Sequence, residues 1–219
     1  MKKLKFPGPK EKTVIVLFVI MTLIAAAMTV IGALRVYRSE RAISEGLCAT
    51  ELSMSMREIQ PHDASESRKE VLQEDAHDDE EATGYSGYAI LTVHTPKAHR
   101  FAVYDELTSE HLWMGVAHIS ETAQPGESGN CVIFGHRDTV FKWLKDIQVG
   151  NRVTLKSGGY EYVYLVEKTQ VCLPEAPEMT QRFETPYLTL VTCHPFVYGG
   201  PAPERFLVIC RLDTVNECN

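Results

Sequence analysis

Residues Leu188 to Val208 read LTLVTCHPFVYGGPAPERFLV. Two short apolar runs, LTLVTC and RFLV, flank 11 residues from His194 to Glu204 that include Pro195, Gly199, Gly200, Pro201 and Pro203. Apolar runs of this length bounded by glycine and proline read as two strands joined by a loop. If the strands pair as a hairpin, Cys193 at the end of one lies near Arg205 at the start of the other. Cys193 is then a buried apolar filler, half of a disulfide, or a nucleophile. A guanidinium beside a thiol favours the thiolate electrostatically, which is one route to a reactive cysteine. The same arginine can donate to an oxyanion that develops during acyl transfer.

The residues upstream extend the β pattern. GYAILTV (Gly87 to Val93), RFAVY (Arg100 to Tyr104) and NCVIFGH (Asn130 to His136) read as strands, the last preceded by the turn-rich QPGESGN. TSEHLWMG reads as one helical turn. TVFKWLKD reads as a short helix with Asp138 or Thr139 as its N-cap. RVTLKSGGYEYVYLVEK places two strands around Gly158-Gly159, a strong hairpin signal. With YLTLVTC and RFLVICRL the segment from Gly84 onward holds seven or eight short strands, which implies a closed or nearly closed β-barrel. His136 ends one of these strands behind Gly135, which permits close approach. Histidine is the side chain best suited to moving protons near neutral pH. Spacing alone does not establish that His136 meets Cys193.

Residues 13–34, TVIVLFVIMTLIAAAMTVIGAL, carry no charge over 22 positions. A helix of that length rises about 33 Å, enough to cross the hydrocarbon core of a bilayer. Lys2, Lys3, Lys5, Lys10 and Lys12 precede the run, and Arg35, Arg38 and Arg41 follow it. This bias predicts a basic cytoplasmic tail at 1–12, an uncleaved anchor and an outward-facing remainder. A cleaved signal peptide has a shorter apolar region that ends in a small-x-small site. Residues 35–83 are expected to continue as helix and then to become a solvated acidic spacer, PHDASESRKEVLQEDAHDDEEAT, with too little apolar surface to order itself. The formal net charge of −7 comes from this outward part, and nothing suggests a nucleic-acid-binding face. The six cysteines, Cys48, Cys131, Cys172, Cys193, Cys210 and Cys218, form no C-x-x-C and no metal-ligand spacing. On the predicted topology they lie where disulfides persist. No acid cluster in the barrel predicts a calcium site.

TLVTC followed by Arg205 in APERF, with GHRDTVFKWL and PGESGN upstream in that order, resembles the sortase family of membrane-anchored cysteine transpeptidases. The resemblance covers roughly Tyr85 to Leu212. The details of GHRDT and TCHPF…GPAPERF are most similar to class D members. No second long apolar run and no Asp-Pro-aromatic motif precedes the domain, as a pilus-polymerising class C member would have.

The resemblance implies an eight-stranded sortase barrel over residues 84–219, with short helices, that recognises an LPxTG-like sorting signal without a cofactor. It assigns Cys193 to attack on the carbonyl of the signal's threonine. His136 protonates the departing amine and deprotonates the incoming one. Arg205 holds substrate carbonyls and stabilises the oxyanion. Thr192 helps to shape the substrate groove. An amine on a cell-wall precursor resolves the thioacyl intermediate. Extra cysteines are not part of the family pattern, so a bridge to Cys193 would hold the enzyme off until reduced.

Two other readings stand beside this one: a silent, membrane-tethered barrel that binds peptide signals, and a Cys/His protease that resolves the same acyl-enzyme with water. His194, adjacent to the nucleophile, is expected on the opposite face of its strand in a structural role. His118 is likewise expected to be structural. Arg137 and Asp138 are candidates for orienting His136. Arg205 could instead pair with Glu204. The alternation of Tyr160, Tyr162 and Tyr164 reads as one face of a strand.

Overall fold

The structure, a computed structural model, describes residues 9–59 and 87–218. All of the predicted acidic spacer, the basic tail up to residue 8, and the first three residues and the last of the predicted barrel domain lie outside the described residues. By its internal contacts the chain divides into two units, residues 1–41 and 42–219. The helix α1, Pro9–Ile59, contributes to both.

In the first unit α1 shows large apolar side chains to its surroundings, among them Phe18, Leu23 and Met28. By length and composition it is able to cross a membrane. In the second unit the end of α1 packs on the strands. Ile43 joins the core. The buried Thr50 hydroxyl donates to the Gly46 carbonyl and accepts from the Gly87 N–H, each at 2.8 Å. Glu51 pairs with Arg100 at 2.7 Å.

The second unit is otherwise an eight-stranded closed barrel. Its strands are β1 (Ala89–Thr95), β2 (Lys97–Tyr104), β3 (Val116–His118), β4 (Gly129–Phe134), β5 (Arg152–Ser157), β6 (Tyr160–Cys172), β7 (Pro186–His194) and β8 (Glu204–Glu217). Around the barrel they run β1-β2-β3-β4-β7-β8-β6-β5, and β5 pairs with β1 to close it. The pairs β2–β3 and β4–β7 are parallel; the others are antiparallel. Gly158 and Gly159, both at positive φ, make the two-residue turn between β5 and β6, where Ser157 faces Tyr160. Such turns demand φ values that suit glycine.

Strand alternation separates two apolar layers. Leu188 and Leu190 of β7, Val208 and Cys210 of β8, and Cys131 and Ile133 of β4 point into the barrel. Val191, Leu207, Ile209 and Val132 point out and form a second cluster, covered by Met179 and Phe183 of the β6–β7 connection. This outer face of β4, β7, β8 and β6 is where the site lies.

Two sequence expectations need correction. TVFKWLKD does not start a helix at Asp138 or Thr139. Val140 and Phe141 are drawn into the core and the Phe141 N–H closes a turn on the His136 carbonyl at 2.9 Å, so only a 3-10 helix, Lys142–Asp146, follows, without a side-chain cap. The strand read as Asn130 to His136 ends at Phe134. The helical turn after β2 is α2, Ser109–Met114, capped by the Thr108 hydroxyl.

Candidate active site

The β7–β8 hairpin pairs Cys193 directly with Arg205, and β6 pairs Cys172 with the same arginine. Directly opposed residues in antiparallel strands share a face. The third strand of the site is β4, parallel to β7, with Phe134 opposite Val191. The Gly135 N–H extends this pairing by donating to the Val191 carbonyl at 3.1 Å. His136 follows Gly135 just beyond the end of β4, beside this pairing. Order around the barrel therefore gives a row Cys193, Arg205, Cys172 across β7, β8 and β6, with the His136 segment leaving β4 on the Cys193 side. Neighbouring strands lie about 4.8 Å apart, so Arg205 stands one strand spacing from Cys193.

Local packing holds each member. A Cβ on Gly135 would come 2.6 Å from the Phe141 ring, so this close approach requires glycine and brings the His136 segment down on the core. The His136 ring meets the edge of Trp113 of α2 at 6.2 Å. The Arg205 Nη1 donates to the Glu204 carbonyl at 2.9 Å and to the Ala202 carbonyl at 3.4 Å. A guanidinium has five donors, so Nη2 and Nε keep capacity for a substrate.

Thr192 is buried and faces away from this row. Its hydroxyl donates to the Gly135 carbonyl at 2.7 Å, which ties β7 to the His136 segment. It therefore supports the groove from behind instead of lining it. His194 also lies on the opposite face, where its Nδ1 is 3.0 Å from Glu204 Oε2 and its ring stacks on Phe206. The Glu204 carboxylate thus takes His194, not Arg205, as its side-chain partner. His118 is fully buried, with Nε2 3.1 Å from the Ala123 carbonyl and Nδ1 3.2 Å from Asp105, a structural placement. Tyr160 is exposed and Tyr164 buried, so those tyrosines form no common platform.

Arg137 has a function that its sequence position only hinted at. Its guanidinium donates to the carbonyls of Pro195 at 3.0 Å, Tyr198 at 2.9 Å and Gly200 at 3.4 Å. It also sits over the Tyr198 ring. The residue after the histidine thereby holds the loop after the cysteine. The acceptors are backbone carbonyls, so no side-chain signature announces them.

All six cysteines are free. Cys172 and Cys193 stand on either side of Arg205, and Cys131 and Cys210 on either side of Leu188. Two strand spacings exceed the roughly 7 Å Cα separation a disulfide can close, so neither pair can bridge in this fold. Burial pushes the Cys131 and Cys210 thiols far up from their ordinary range. Cys172 is raised by burial and by Glu178, with Arg205 pulling it back. Iodoacetamide at pH 8 should therefore leave Cys131 and Cys210 untouched in the folded chain and label them only after denaturation, with occupancies read by peptide mass mapping. Labelling of either in the native protein would contradict this packing. Among the described residues no group of three or more His, Cys, Asp or Glu is gathered as a metal site requires.

Three kinds of comparison bear on this arrangement. Sortase D of Bacillus subtilis (strain 168) is 30% identical over 125 residues, which are 56% of this chain and 63% of that protein. The match thus spans less than two thirds of the relative's length. Among solved structures, the catalytic domain of B. anthracis SrtD aligns with TM-score 0.52 and 27% identity, over 69% of this chain and all of that one. The Clostridium perfringens Sortase D5 transpeptidase aligns with TM-score 0.52 and 24% identity, over 59% of this chain and 80% of its own, a likeness of fold. The Sortase domain model matches residues 76–213, more than half of the 219. Class D members thus stand among its relatives, and the barrel whose outer face opposes a cysteine and an arginine on neighbouring strands, with a histidine just past the end of a third, belongs to the sortase family.

Proposed function

We propose that this chain is a class D-like cysteine transpeptidase, anchored by α1 with its N-terminus in the cytoplasm and its barrel on the outer face of the membrane. Its substrates are secreted proteins that carry an LPxTG-like signal, and its acceptor is an amine of a cell-wall precursor. The observation that supports the reading is the register that opposes Cys193 and Arg205, with the His136 segment following the strand beside β7.

In the first step the Cys193 thiol gives its proton to His136 and its sulfur attacks the carbonyl carbon of the signal's threonine, and the carbonyl electrons move onto oxygen. Arg205 donates to that oxyanion, where a positioned cation stabilises the transition state more than the ground state. The tetrahedral intermediate collapses, the threonine–glycine C–N bond breaks, and His136 gives its proton to the departing amine. A thioester on Cys193 remains. In the second step His136 takes a proton from the acceptor amine as its nitrogen attacks the thioester carbon. The C–S bond then breaks and the new amide leaves. Arg137 acts as a positioning residue by keeping the β7–β8 loop and the His136 segment together through both steps.

The test is to incubate the full chain, in detergent micelles, with LPxTG-like peptides and a small amine, then to read intact mass and map the modified peptide. An adduct on Cys193 with the mass of the peptide up to its threonine, and a product joined to the amine, is the expected result. Release of free acid alone, with amine in excess, would favour the protease reading. A folded protein with neither adduct nor product would favour the silent binding barrel.

A further inference from the structure

His136 stands past the end of β4, so no strand ladder fixes it. Its carbonyl accepts from the Phe141 N–H at 2.9 Å, which holds the backbone but not the ring. Among the described residues the imidazole has no hydrogen-bond or ion-pair partner. A histidine that moves protons needs one orientation, usually set by a third group. The side chain found against it is Trp113 of α2, with ring centroids 6.2 Å apart and planes at 68°. Such tilted, edge-on pairs are a geometry that aromatic rings favour. Trp113 is still 51% exposed, so its own burial does not account for its place.

The hold on Trp113 comes from further away. The helix α2 has six residues, and none of them is buried. A helix this short does not stand by its own hydrogen bonds. Positions two apart on a helix do not share a face, so His111 and Trp113 turn to different neighbours. His111 stacks on Tyr104 of β2, with centroids 4.8 Å apart and planes at 8°. Tyr104 is buried, and its hydroxyl lies against Gly46 of α1. A Cβ at Gly46 would collide with that hydroxyl and come 3.2 Å from the Met114 carbonyl at the end of α2. Glycine weakens a helix interior, and here the close approach requires it. Two further contacts keep this part of α1 in place: the Thr50 hydroxyl takes the Gly87 N–H just before β1, and Glu51 pairs with Arg100. One path of contacts therefore runs from α1 through Tyr104 and α2 to the His136 ring.

We propose that Trp113 is a positioning residue for His136, and that the end of α1 sets Trp113 through its close approach at Gly46. This rests on the transpeptidase reading above and adds a residue outside the cysteine, histidine and arginine set. The end of the anchor helix is then part of the catalytic unit and not only a tether.

The test uses the full chain in micelles with the signal peptide and amine described above. Trp113→Ala is expected to lower kcat about tenfold and to leave KM within about twofold, because a loosened proton carrier slows the chemistry while Cys193 and Arg205 stay in place. Trp113→Phe should restore most of kcat and Trp113→Leu should not, since a ring and not bulk faces the imidazole. Gly46→Ala favours the helix but presses on Tyr104 and Met114, so it should lower kcat about threefold. The double variant Gly46→Ala, Trp113→Ala should be no slower than Trp113→Ala alone, as expected of two changes on one path. A second readout uses no turnover. In the chain carrying isotope-labelled histidine, the His136 ring signals, assigned by their loss in His136→Gln, should shift in Trp113→Ala and in Gly46→Ala as the indole ring current is removed or displaced. Melting temperatures matched to wild type exclude misfolding.

An unchanged kcat in Trp113→Ala, a loss that falls on KM, or equal rescue by Phe and Leu would overturn the positioning role. Additive losses in the double variant would overturn the link to α1. If no peptide forms an adduct on Cys193, the transpeptidase reading falls by itself, and the histidine signals then decide the path. Shifts in both variants uphold it; no shift in either one overturns it.

Discussion

Cys193→Ala is expected to lower peptide cleavage and amine transfer to less than about one ten-thousandth of the wild-type rate, with the fold and peptide affinity retained. The size follows from what the sulfur supplies. Without it no thioester forms, and the remaining acceleration comes only from binding and from Arg205 acting on an attack by water. Such residual catalysis is small compared with that of an intact nucleophilic site. Stability should change little, because Cys193 is only partly buried, on the outward face at the end of β7. The measurement is a single-turnover assay with enzyme in excess, in parallel with a melt and peptide binding by anisotropy. A variant that kept a tenth of the activity would remove Cys193 from the chemistry and send the search to Cys172, the other thiol beside Arg205.

That Cys193 and Arg205 would face each other followed from one stretch of sequence. Eleven residues rich in glycine and proline force the two runs to turn back, and the observed register closes on His194 opposite Glu204. Alternation also put His194 on the face away from Cys193, whereas the inward turn of Thr192, a buried hydroxyl on the Gly135 carbonyl, needed the structure. His136 is different. It stands 57 residues before Cys193, and its place depends on a parallel pairing of β4 with β7 that leaves no local signal. Only the ordered motifs connected the two in the sequence.

The misses share a cause. The three-residue β3 is too short for a period to show, and its pairing with β2 is parallel and non-local. TVFKWLKD has helical composition, but burial of Val140 and Phe141 overrides the propensity. The Arg137 clamp acts on three carbonyls some sixty residues away, and any residue type carries a carbonyl. The packing of Ile43, Thr50 and Glu51 on the barrel is hidden by the acidic stretch that follows the helix, which reads as the end of ordered structure.

Arg205→Ala is expected to lower kcat by about 10²–10³, roughly 2.7–4 kcal/mol, the range found when one oxyanion donor is removed. KM should move far less, since a donor aimed at developing charge is worth most in the transition state. Lysine should not restore the rate: its ammonium is a point charge on a flexible stem, whereas the guanidinium keeps Nη1 on the carbonyls of Glu204 and Ala202 while offering other donors. Cys172 supplies an independent readout of the arginine's field. Arg205 opposes the burial and the Glu178 charge that raise the Cys172 thiol, so its loss should slow alkylation of Cys172 in the folded protein. A variant with slowed Cys172 labelling but unchanged kcat would show that the guanidinium is electrostatically present in the row yet absent from the transition state. Loss of kcat together with slowed labelling would tie both effects to one side chain, poised between Cys193 and Cys172.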